Sequence, residues 1–164
     1  MKRPVLVYIG LLMVTALWLA MVFASPWLWA EGHALPAALL YRGFSAVCHQ
    51  MAERSFYFHG HQLGVCSRCM GIYGGFALGL ALYPMVRPLK ETVFPPRWIL
   101  LIAAIPIAMD FLLGYSGLWA NTFLSRTATG SLLGVVLAFF ILPGFVSAFT
   151  GVGHEAECRT INQT

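Results

Sequence analysis

The chain has 164 residues, 59% of them hydrophobic and 10% charged, with a formal net charge of +4 and a mean hydropathy of +0.76. Soluble domains carry about 25% charged residues, and ten basic plus six acidic side chains cannot coat a globule of this size. An ordinary cytosolic enzyme, a disordered chain and a nucleic-acid binder are thereby excluded, and the expectation is an all-α polytopic membrane protein forming a single integral domain over 1–164.

A bilayer core about 30 Å thick needs about 20 apolar residues, and Pro4 to Ala30 is uncharged throughout. Lys2 and Arg3 before it, with small residues around Ala24, resemble a signal peptide. The apolar run is far longer than the usual 7–15 residues, so it reads as a retained helix over about 4–29. A polar Cys- and His-bearing loop follows at 31–65. Within it Pro36 suits a first helical turn, and Leu40, Phe44, Val47 and Met51 recur at helical spacing. This predicts a short interfacial helix with Cys48 on or near its apolar face and His49 toward the polar side. The next stretch is aromatic and irregular, with Gly60 and Gly64 as turn points.

A second helix is expected at about 66–86, then a basic connection from Arg87 to Arg97 broken by Pro88, Pro95 and Pro96. The third helix, about 98–115, is interrupted by Asp110, and the fourth, about 126–149, opens at Arg126. The polar tail holds His154 and Cys158, whose spacing lacks the second histidine of a metal helix and reads as solvated. Lys2, Arg3, Arg87, Lys90, Arg97 and Arg159 oppose Arg42, Arg54, Arg68 and Arg126 across the membrane. The N-terminal pair and the short basic loop favour both termini in the cytoplasm of a cell with this chain in its cytoplasmic (inner) membrane, and the 31–65 loop outside.

Cys66 and Cys69, at i and i+3 on a helix start, can grip one metal ion. Cys48 and His49 would complete a tetrahedral set of the kind used for zinc. Adjacent ligands are awkward, so His59 or His61 can replace His49, because extended His59-Gly60-His61 puts both imidazoles on one side. A redox-active thiol pair, or a plain disulfide outside the cytoplasm, remains open beside the metal site, as do histidines without a ligand role.

Asp110 lies thirteen residues after Arg97, about 20 Å along a helix. A carboxylate at such depth costs about 2.5–3.5 kcal/mol and needs a partner. Arg126 is the expected one, either in a structural pair or beside an Asp110 that carries protons or orients a ligand. Gly71, Gly75 and Gly79 form one small-residue ridge and Gly130 and Gly134 another. Parallel packing of the two gathers Cys66, Cys69, Asp110 and Arg126 at one pocket.

Cys48-His49-Gln50, Arg54-Ser55-Phe56, Gly60, Cys66-Ser67-Arg68-Cys69 and Gly71-Ile72-Tyr73-Gly74-Gly75 resemble the signature of a prokaryotic family of small predicted membrane proteins of unknown function. The likeness runs over about residues 40–135, into Asp110 and Arg126-Thr127-Ala128-Thr129-Gly130. It implies a fold and a site and supplies no activity. The function expected is therefore an integral membrane protein with a Cys/His zinc site at the extracytoplasmic surface. If the site is catalytic, its substrate is membrane-embedded or lipid-linked, with Asp110 or His49 moving protons and Arg68 or Arg126 holding an anionic headgroup. A fully protein-coordinated ion would instead be structural.

The alternative is a membrane thiol–disulfide oxidoreductase using Cys66 and Cys69. The layout resembles the four-helix quinone-linked disulfide-forming enzymes, and the helix N-terminus with Arg68 would stabilise a thiolate. Those enzymes carry a second cysteine pair that residues 114–125 lack, and Cys48-His49 has no counterpart in them.

Overall fold

The computed structural model describes residues 2–150; His154, Cys158 and Arg159 lie outside the described residues. Among the described residues four helices are long and apolar enough to cross a membrane. They are α1 (Lys2–Ala30), α3 (Ser67–Val86), α4 (Arg97–Tyr115) and α5 (Phe123–Thr150), with α2 (Ala34–Ser45) as the short helix after α1. Each of the four long helices holds a proline in its interior, Pro26, Pro84, Pro106 and Pro143. Such prolines are tolerated in spanning helices, where neighbouring groups satisfy the freed carbonyls.

The loop is not irregular between the helices. Ser55–Phe58 (β1) and His61–Cys66 (β2) form an antiparallel hairpin, with Phe58 opposite His61 and Ser55 opposite Cys66. His59 and Gly60 both take positive φ, 49° and 78°, which is the backbone of a two-residue hairpin turn whose twist matches its strands. The ladder is irregular between Ser55 and Tyr57.

The glycine ridges meet as the spacing predicts. Gly71, Gly75 and Gly79 of α3 face the main chain of Thr127, Ser131 and Val135 of α5, and Gly130 faces that of Arg68. Contacts that advance together along both chains make α3 and α5 parallel, with their N-termini at one end. At that end Val22, Phe44, Cys48, Leu63 and Val65 are buried together, against Trp18 and Tyr73. At the other end Leu80, Tyr83, Ala138, Leu142 and Val146 form a second buried cluster. The Tyr8 hydroxyl donates to the Leu80 carbonyl at 3.1 Å there, so α1 runs antiparallel to α3. α4 packs mainly on α5 and buries little besides Ala103 and Asp110.

Candidate metal centre

α2 stops at Ser45, short of the face expected to reach Met51. The Cys48 amide still donates to the Phe44 carbonyl at 2.9 Å, so Cys48 ends the last turn and is buried, while Val47 and Met51 are exposed. Beyond that turn the chain changes direction at Gln50, at φ 50°. Its side-chain amide donates to the carbonyls of Tyr41 at 2.9 Å and Gly64 at 2.8 Å. The Gln62 side chain donates to the Gln50 carbonyl at 3.0 Å, and the Tyr41 hydroxyl donates to the Gln62 carbonyl. Gln50 thus ties the end of α2 to the second strand. Its place beside Cys48-His49 was the only sequence signal for that role.

β2 delivers Cys66 to the N-cap of α3, where its backbone N–H donates to the Cys48 sulfur at 3.2 Å. Cys69 stands one turn further along α3. The three Sγ atoms lie within 4.8 Å of one another, a group that could hold a metal ion. Tetrahedral zinc with bonds of about 2.3 Å separates its sulfurs by about 3.8 Å, within that limit. Hydrogen bonds from the Cys48 thiol and then the Cys69 thiol favour the Cys66 thiolate and hold Cys66 far below the ordinary thiol range.

No histidine belongs to the group of three. His49 is exposed and lines the same cavity as the thiols. His59 and His61 are not joined by extended chain, because His59 is itself a turn residue and His61 begins the second strand. His59 meets the Phe58 ring at 4.4 Å, whereas His61 sits 6.5 Å from the Trp29 ring, in a different cavity with Tyr41 and Gln62.

The cavity beside the thiols measures about 470 Å³ and is also lined by Arg54, Arg68, Arg126 and Phe111. Asp110 does not take Arg126 as its partner. Its carboxylate pairs with the Arg68 guanidinium, which also stands 5.8 Å from the centre of the Phe111 ring. The reason is the seam: Gly130 rests on the Arg68 carbonyl, which sets the first turn of α3 beside α5 and within reach of α4. The Asn121 amide donates to the Asp110 main-chain carbonyl. Arg126 stays at the cavity, with a buried Nε that meets no acceptor. Asp110, Arg68, Arg126 and the three thiols are therefore gathered at one end of the bundle, with a different pairing among the charges.

Residues 48–140, which include all three thiols, Asp110 and Arg126, match a family described as predicted membrane protein. An uncharacterized protein of Methanocaldococcus jannaschii is similar, 42% identical over 106 residues that span 65% of this chain and 68% of the relative. A second, from Methanothermobacter thermautotrophicus, is 38% identical over 95 residues, 58% of this chain and 84% of the relative. No solved structure matches. With more than half its length matched, the chain belongs to the DUF2085 family of predicted membrane proteins.

Proposed function

We propose that this membrane protein holds a zinc ion on Cys48, Cys66 and Cys69 at the extracytoplasmic surface of the cell membrane, beside a chamber for a membrane-embedded or lipid-linked substrate. The carrying observation is the convergence of three thiols, from a loop and a helix start, within 4.8 Å. Three thiolates supply three of zinc's four ligands, and His49, on the same cavity, is the candidate for the fourth. The Cys66 amide bond to the Cys48 sulfur is the kind of outer contact that orients a metal ligand. When bound, zinc would either fix the loop to the bundle or polarise a substrate in the chamber. In the second case Arg68 and Arg126 would hold the substrate and Asp110 would keep Arg68 in place.

Purified protein is expected to contain about one zinc per chain, as a four-ligand site requires. Cys48→Ser, Cys66→Ser and Cys69→Ser should each lower zinc content and thermal stability together, and His49→Ala should lower zinc affinity less. A metal-free protein whose Cys66 and Cys69 form a disulfide that quinone regenerates would replace this reading with the oxidoreductase one. For the orientation, a reporter active only outside the cytoplasm should respond at residues 31–65 and stay silent at 88–96. The opposite pattern would place the thiols in the cytoplasm.

A further inference from the structure

The three arginines on the thiol cavity carry more positive charge than their surroundings answer. A guanidinium keeps its proton in a protein, and among the described residues only Arg68 of the three has a buried carboxylate, Asp110. Arg54 meets Glu53 at 3.7 Å with both side chains about half exposed or more, a pairing worth little. Among the described residues Arg126 forms no ion pair, and the Nε atoms of both Arg68 and Arg126 are buried without an acceptor. Zinc on three thiolates would carry one negative charge and so offset one arginine. One positive charge is still left over.

Helix ends add to it. Arg68 and Arg126 lie in the first turns of α3 and α5, whose N-termini meet at this end. Each N-terminus presents roughly half a positive charge, so cations there are on the unfavourable end unless an anion joins them. The same cavity has an apolar side made by Val47, Met51, Ile72 and Phe111.

We propose that Arg54, Arg68 and Arg126 form a phosphoryl-binding site, so that the substrate class of the chamber is a phosphate ester. Planar guanidinium forks match phosphate oxygens in pairs; two negative charges answer the surplus of the arginines and helix ends, and the apolar side accommodates a chain attached to the ester. The substrate role rests on the reading of the cavity as a chamber beside a metal centre; the binding itself does not.

The test uses the whole protein in nanodiscs, zinc-loaded and metal-stripped. One arm titrates inorganic phosphate into neutral phosphatidylcholine discs by calorimetry. The other compares the unfolding midpoint in neutral discs with that in discs containing phosphatidic acid. Saturable binding or a raised midpoint is expected in at least one arm. A response to lipid alone assigns a membrane ester, and a response to phosphate alone assigns a soluble one. Arg126→Gln and Arg54→Gln should each weaken the response about tenfold, the scale of one charge-assisted hydrogen bond. Arg42→Gln, on α2 away from the cavity, should not change it. Because Arg54 is half exposed, its variant is expected to fold even where Arg126→Gln does not. No response in either arm, or a response that Arg54→Gln leaves intact, overturns the proposal. Absent zinc with phosphate binding retained would count against the metal reading alone.

Discussion

Cys66 and Cys69 ride on the α3–α5 seam and Cys48 rides on the loop after α2, and the two regions hold their shape by different physics. Along the seam, glycines let main chain lie on main chain, at Gly71 against Thr127, Gly75 against Ser131 and Gly130 against Arg68. Its cohesion is close packing with no polar side chain needed. The loop has little close packing of that kind. It buries Leu63 and Val65 with Phe44, Cys48 and Val22, and directed hydrogen bonds from Gln50, Gln62 and Tyr41 with a hairpin turn fix its path. Two thiols are thus placed by the membrane bundle itself, and the third is brought to them by a hydrogen-bonded strap. Ligation would join the two regions, which is why its loss should be felt first in the strap.

The contact that carries the most at the seam's open end is the Arg68–Asp110 pair, which ties α4 to the first turn of α3. Asp110→Asn leaves a mostly buried guanidinium without its counter-charge, and breaking such a pair from one side costs about 3–5 kcal/mol. The unfolding midpoint in detergent should fall accordingly. Adding Arg68→Gln should recover part of the loss, whereas adding Arg126→Gln should recover less. Rescue by Arg126→Gln instead would restore the pairing that the sequence suggested.

A smaller and sharper break separates adjacent glycines of one helix. A Cβ on Gly75 would overlap the Ser131 main chain, while one on Gly74 meets nothing within 4 Å. Gly75→Ala is expected to cost about 1–3 kcal/mol as overpacking does. Gly74→Ala should be neutral or slightly stabilising, since alanine is the better helix former. Equal effects at the two positions would mean that the seam is not a backbone contact.

These features were unequally legible. Hydropathy fixes the spans because a bilayer demands about 20 apolar residues, and the glycine periodicity of 71, 75, 79 and 130, 134 carries the register of the seam. Cys66 and Cys69 follow from that register, whereas Cys48 reaches them only because the loop folds back. The hairpin is harder to see, because its strands have only four and six residues and its turn has His59 where asparagine or aspartate is the usual signal. The partner of Asp110 was not readable either. Arg68 and Arg126 sit in first turns of parallel helices, so the spacing puts both near Asp110, and the choice depends on which side chain reaches across to α4. The end of α2 was missed for a third reason: the apolar spacing continues through Val47 and Met51, whereas the positive φ of Gln50 depends on carbonyls fourteen or fewer residues away in sequence.

The least disruptive test acts on the strap alone. Gln50→Ala removes two donors and leaves the carbonyls of Tyr41 and Gly64 without them, a local cost of about 1–3 kcal/mol. None of that falls on the α3–α5 contact, so the bundle's unfolding midpoint in metal-free protein should move less than with Gly75→Ala. What should change is access to Cys48, now buried. Its alkylation rate, read by mass spectrometry, should rise several-fold, while labelling of Cys66 and Cys69 stays near that of the unsubstituted protein. Zinc should reverse the rise, because ligation would supply the tether that Gln50 no longer does. If all three thiols became reactive together, strap and seam would be one cooperative unit, and the division between them would have to be given up.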